Sequence, residues 1–247
     1  MKTNKIYTLI VILLGFGIFL LQCGKDPCED LNNGVYIFSS VTDGTAGSYN
    51  IPKSICNCIT TEGLIETCLN YPEWRLLWTR NTLQQGFDYI NSNFNGFEEL
   101  WKRKDAGKEL IKRYIEMDAG GFDKNWTDIE IGKFTVKIVE FETLIAQNKL
   151  LIQLSDNEKY ELLNEAMNKY VKKNDFMEYY SKTGMAPTLA ILARIIYNAE
   201  YAPFMNDFTT SNDIYELVLN LTLYNIETAD LVVKHTENYL SVLNEKK

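Results

Sequence analysis

Carboxylates are the first groups in this 247-residue chain with chemistry to weigh. Glu98-Glu99, and Glu140 with Glu142, could act as acid and base on a glycosidic bond, where one carboxyl must hold a proton while the other holds a charge. Glu140 belongs to a polar helical face with Glu130, Lys133 and Lys137, the pattern of a solvated edge. Glu142 flanks an apolar seam and is more informative. Arg194 interrupts the apolar stretch 189–197. A cation there must reach water or meet a partner, because stranding it is costly. Asn198 and Tyr201 are spaced to give it a narrow exposed stripe, which is the reading favoured by helices that keep one wet edge. The alternative is a buried guanidinium holding Glu142 or a ligand carboxylate. Trp74, Trp78 and Trp101 could stack sugars or anchor a partner, although aromatics at helical spacing more often fill a core. Arg194, Glu142, Trp74 and Trp78 are therefore the candidate binding residues.

No recognisable catalytic constellation accompanies them. Gly-x-Ser-x-Gly is absent. The one histidine, His235, excludes His-Glu-x-x-His and lies between Leu231 and Tyr239 on a helical face, as a core or half-buried histidine would. Gly44-Thr45-Ala46-Gly47-Ser48 lacks the Gly-Lys-Ser/Thr ending of a phosphate loop. Neither a catalytic residue nor a cofactor is assigned. Cys28, Cys56, Cys58 and Cys68 all fall in the first third of the chain. An even number in an exported protein favours two disulfides. A Cys56–Cys58 ring would be very tight, so Cys28 is expected to pair with Cys56 or Cys58, and Cys68 with the other. Cys56-x-Cys58 is too close for a zinc knuckle, and His235 is remote, so no metal is expected.

The export expectation comes from the N-terminus. Lys2 and Lys5 precede an apolar run over residues 6–21, which at about 16 residues is short of the roughly 20 needed to span a bilayer. The run ends Leu20-Leu21-Gln22-Cys23, with no Ala-x-Ala before a cut. That ending resembles the lipobox of bacterial lipoproteins, with Gln22 standing where Gly, Ala or Ser is usual. The resemblance covers about 23 residues and implies that the bond before Cys23 is cut and that the Cys23 thiol is diacylated. Acyl chains then replace the helix as anchor, at about 0.8 kcal/mol per buried methylene. The rival is an uncleaved N-terminal anchor. Gly24-Lys25-Asp26 is similar to the charged signals that follow the acylated cysteine in surface lipoproteins of Bacteroidetes.

The elements that must position the candidate residues are helical. Residues 26–60 are rich in Gly, Ser, Asn and Asp, with 35–38 a candidate strand and Asp43-Gly44 a turn signal. From residue 61 the spacing turns helical. Tyr71-Pro72 opens a helix carrying Trp74, Leu77 and Trp78 on one face. Residues 97–103 form a shorter one, Asp105 caps the next (Leu110, Ile111, Tyr114 and Ile115 inward), and Gly120-Gly121 ends it. The phrase at residues 103–114, Arg-Lys-Asp-Ala and onward to Tyr114, looks like one in uncharacterised bacterial helical proteins and implies no activity. Residues 128–154 read as the longest helix, with Ile131, Phe134, Ile138, Phe141, Ile145 and Ile152 on a coiled-coil-like seam; Asn148 takes its remaining position, where it could fix register if buried, although meeting water is the favoured reading. Ser155-x-x-Glu158 is a capping box opening a helix with Leu162, Leu163, Ala166, Met167 and Tyr170 inward. Ala186-Pro187 opens another, and two more cover 212–224 and 226–244. Tyr114 and Tyr170 have similar surroundings, but two copies do not make a repeat array.

The expected fold is all-α, an irregular multi-helix bundle or alternatively a short helical solenoid. Residues 1–22 are read as signal peptide, 23–60 as a lipid-anchored, disulfide-tethered spacer, and 61–247 as the helical domain. The net charge of −8, more negative by two without Lys2 and Lys5, argues against nucleic acid, which demands basic patches. The sequence thus points to a non-catalytic protein of the bacterial envelope, anchored by lipid to a membrane, that binds a protein or a ligand. A glycan-acting hydrolase using paired carboxylates and an immunity-type lipoprotein that blocks a toxin are the alternatives.

Overall fold

The structure, a computed structural model, describes residues 27–38 and 49–245. The apolar run, Cys23, Asp43-Gly44 and the 44–48 stretch lie outside the described residues. Within them the chain is all-α, with no strand. Short helix α1 (Lys53–Cys56) leads to α2 (Thr61–Leu69), a 3-10 segment (Pro72–Thr79), α3 (Leu83–Asn93), α4 (Asn95–Trp101) and α5 (Ala106–Glu116). Then come α6 (Asp128–Ile145), the single turn α7 (Asn148–Leu151), α8 (Asp156–Asp175) and α9 (Met177–Asn198). The chain closes with α10 (Ala202–Thr210), α11 (Asn212–Asn220) and α12 (Ile226–Glu245).

The starts of these helices follow local chemistry. Thr60, Thr82 and Ser211 each accept a first-turn backbone N–H. Thr127 and Ser155 complete capping boxes with Glu130 and Glu158. Asp105 stands at the start of α5 without capping it; its carboxylate accepts from the Thr61 hydroxyl at 2.8 Å and ties α5 to α2.

The bundle forms around α9. Every residue from Gly184 to Ile196 is buried, and α9 packs on α6, α8, α11 and α12. A helix apolar on all sides belongs at the centre, where its neighbours remove every face from water. Ser181, at φ 55° and ψ 179°, breaks the helical geometry near its start. The break turns Tyr180 inward, where its hydroxyl donates to the Ala119 carbonyl at 2.6 Å.

A second, aromatic part of the core lies under the N-terminal segment. Tyr71 stacks on Phe94 at 4.2 Å, Phe38 and Phe97 meet the pair edge-on, and Trp74 and Phe87 pack on Phe97. Such pairs add about 0.5–1.5 kcal/mol each beyond their burial. The segment 27–38 is fixed by close backbone approach. A Cβ on Gly63 would sit 2.1 Å from the Gly34 carbonyl oxygen, so only glycine admits the contact. The Tyr36 N–H donates to Thr67 Oγ1 at 3.0 Å, and Cys28 is bonded to Cys58.

Several expectations are corrected. Residues 35–38 are not a strand: apart from the isolated Asn32–Val35 bridge they have no strand to pair with, and Tyr36 bonds to a helix instead. The helix expected over 128–154 stops at Ile145, and Gln147 takes an extended conformation before α7. Ile152 is therefore 65 % exposed rather than in a seam, and Asn148 faces outward. Tyr71-Pro72 opens a 3-10 segment, and α5 ends at Glu116, before Gly120-Gly121. Pro187 lies inside α9 rather than at its start. The chain over 212–224 is helical only to Asn220, where Leu221 adopts the left-handed conformation that ends helices. Among the described residues one disulfide forms, Cys28–Cys58, and the second expected bridge, to Cys68, does not. Cys56 and Cys68 are buried free thiols, shielded in the apolar interior where cysteine packs as a small hydrophobe. Burial pushes both thiols up, which suppresses the thiolate needed for exchange.

Candidate functional site

Arg194 is the residue around which distant elements meet. It is 3 % exposed, so the stripe expected beside Asn198 and Tyr201 does not reach it. Its Nε donates to the Val218 carbonyl at 2.7 Å, Nη1 to Ala146 at 2.8 Å, and Nη2 to Leu219 at 3.2 Å and to Gln84 Oε1 at 2.8 Å. Val218 and Leu219 are in the last turn of α11, and Ala146 caps the end of α6. Helix C-termini leave such carbonyls without intrahelical partners and concentrate partial negative charge there. The guanidinium thus satisfies two helix ends at once. Its charge is offset by backbone dipoles rather than by the carboxylate that a buried arginine would ordinarily be expected to need. Burial pulls its pKa down to about 10, with the Asp88 charge opposing, so it stays cationic at neutral pH.

Above this staple lies a cleft of about 210 Å3 lined by Gln84, Phe87, Asp88, Asn91, Trp101, Gln147, Asn148, Lys149, Arg194 and Leu219. The lining is polar and internally ordered. Gln84, whose oxygen faces Arg194, donates its amide to Asp88 Oδ1 at 2.7 Å and to Gln147 Oε1 at 3.0 Å. Gln147 in turn donates to the Thr143 carbonyl at 2.7 Å. Asn91 accepts from the Trp101 indole at 3.4 Å, and Asn148 accepts from Asn198 at 3.1 Å. A convergent set of polar groups held in place by hydrogen bonds rooted in a buried cation is what a preformed binding cleft requires.

Glu142 is elsewhere and sealed. Its side chain and that of Lys173 are both wholly buried and ion-paired. Lys173 also donates to Gly184 O at 2.9 Å and Thr188 Oγ1 at 3.0 Å, while Tyr114 and Thr188 each donate to Glu142 at 2.8 Å. Desolvation lowers the Lys173 pKa and the Glu142 charge opposes that. Beside it, Lys169 pairs with Glu165 and donates to the Met117 carbonyl. A carboxylate closed off from water, hydrogen-bonded on both oxygens and ion-paired on one, has no access to a substrate. Arg194 does not touch it, so the alternative in which the buried guanidinium holds Glu142 is not met.

The remaining candidates separate. Trp74 is 4 % exposed in the aromatic core, its indole donating to the Cys68 carbonyl at 2.8 Å, so it meets no ligand. Trp78 is 40 % exposed and donates to Glu140. Glu98 and Glu99 are engaged by Lys102 and Arg103 at 2.9 and 3.1 Å. His235 is buried against Phe204, with Nε2 2.6 Å from Asp207. Trp101, part of the sequence's aromatic set, is the one tryptophan lining the Arg194 cleft.

Glu140 is half-buried rather than solvated, and burial raises its carboxyl pKa to about 7, against the opposing pull of the Trp78 hydrogen bond and Lys137. A pKa raised from 4.5 means the folded state binds more proton than the unfolded state between about pH 4.5 and 7. Stability therefore falls as pH rises through that window. Glu140→Gln should flatten this slope and add about 1–2 kcal/mol at pH 8. Urea unfolding at pH 5 and 8 checks this; an unchanged slope in the variant contradicts it.

Among the described residues no group of three or more His, Cys, Asp and Glu side chains is placed to hold a metal, and no helix is long and apolar enough to cross a membrane. Comparison with protein-family models, characterised proteins and solved structures gives no match to this chain.

Proposed function

We propose that this chain is a non-catalytic, lipid-anchored protein of the bacterial envelope that binds a ligand in the Arg194 cleft. The observation that carries the binding reading is the cleft itself. Gln84, Asp88 and Gln147 are linked at its wall to one buried cation, Asn91 and Asn148 are held there by Trp101 and Asn198, and none is paired as a nucleophile with a base. The lipobox-like Leu20-Leu21-Gln22-Cys23 supports the anchor, with a protein partner at the membrane face as a further consequence of that location. The alternative hydrolase reading lacks a pair: Glu140 has the raised pKa of an acid, but Glu142 beside it is sealed, and Glu98 and Glu99 are ion-paired. No residue separately favours the immunity reading.

A photoreactive amino acid at position 149, on the exposed rim of the cleft, tests the proposal in living cells. The anchored chain should form a discrete adduct, and the Cys23→Ala chain should lose membrane attachment.

A further inference from the structure

The ligand class follows from what the cleft's hydrogen bonds leave over. This rests on the binding reading above. The guanidinium of Arg194 has spent its fork on four acceptors, so it offers little to an incoming anion. Asp88 uses Oδ1 toward Gln84 and keeps Oδ2 as an acceptor at the wall. Asn91 and Asn148 have their oxygens engaged by Trp101 and Asn198, which leaves their amide N–H groups to donate. Trp101 contributes an aromatic surface, steadied by near-parallel packing on Phe97 at 6.5 Å.

A carboxylate acceptor beside two amide donors matches adjacent hydroxyls, because each hydroxyl both gives and takes a hydrogen bond. The aromatic plate matches the C–H face of a sugar ring. Asp88 is countered by Lys149 at the rim, and the Arg194 charge is taken up by the carbonyls it bonds, so the wall offers neither an anion nor a cation a net partner. At about 210 Å3 the cleft is below the roughly 300 Å3 where drug-sized sites begin, which suits a single ring. We infer that the Arg194 cleft holds one ring of a neutral saccharide, with Asp88 accepting from its hydroxyls, Asn91 and Asn148 donating to them, and Trp101 packing on its C–H face.

The test exposes the purified full-length chain to immobilised neutral saccharides, uronic-acid saccharides and sialylated saccharides. The inference expects retention of a neutral saccharide, weakened at least tenfold by Asp88→Asn with an unchanged unfolding midpoint. Asparagine keeps the oxygen that accepts from Gln84, so the wall stays intact. Trp101→Phe should weaken retention less than Asp88→Asn. No retention at millimolar saccharide, retention of acidic saccharides alone, or retention indifferent to Asp88→Asn overturns the inference. If retention fails while the position-149 adduct still forms in cells and is weakened by Asp88→Asn, the saccharide assignment falls and the binding reading stands. If both fail, both fall.

Discussion

Lys173→Met lowers the folding stability by about 3–5 kcal/mol, the cost of leaving a buried carboxylate without its partner. Glu142 has no route to water, with a fully buried side chain, and Tyr114 and Thr188 supply only neutral donors. The variant must either protonate Glu142 or admit water into the space between α6, α8 and α9. Chemical denaturation at pH 7 measures the loss. The double variant Glu142→Leu, Lys173→Met removes both charges, and should recover most of it, because replacing a buried pair by apolar groups is often close to neutral. A single-variant cost below about 1 kcal/mol would mean the pair is not desolvated as described.

Arg194→Met should be comparably damaging, at about 3 kcal/mol or more, for a different reason. Ala146, Val218 and Leu219 would each be left with a carbonyl lacking its donor, and Gln84 Oε1 would lose the donor that orients the side chain. Arg194→Lys should rescue only part, because an ammonium cannot reproduce a planar fork reaching four acceptors. The two effects are distinguishable by location. Hydrogen exchange should rise at the ends of α6 and α11 in the Arg194 variants. In the Lys173 variant it should rise at the last turn of α8 and over residues 184–188 of α9, with the end of α11 unchanged. Equal protection at 146 and 218–221 in Arg194→Met would refute the staple.

Much of the architecture was legible because it is local. Ser155 with Glu158 announces α8, and the inward run of Leu162, Leu163 and Ala166 is buried as its spacing requires. The helix break after Ile145 was hidden because the apolar spacing continues through Ile152, while the turn depends on Arg194 reaching Ala146 from 48 residues away. The same limit applied to the site. Arg194 stood out as a charge in an apolar run, but its acceptors are mostly backbone carbonyls, which every residue carries and no sequence pattern marks. Lys173 was missed within the Lys172-Lys173 pair, which resembles a solvated edge. A signal existed: Leu162, Ala166, Lys169 and Lys173 recur at steps of four, three and four, so both lysines share the inward face. Asp88 and Asn91 gave no signal, because exposed polar residues on an amphipathic helix are ordinary until α4, α7 and α11 are brought beside them.

The central claim is that the Arg194 cleft is where this chain meets its ligand. In-cell photo-cross-linking from position 149 of the full-length chain tests it most directly. The account predicts a discrete adduct from that position that is lost or strongly reduced in Asp88→Asn while the variant remains folded and present at wild-type level. No adduct from the cleft rim, or an adduct equally strong in Asp88→Asn, would contradict it.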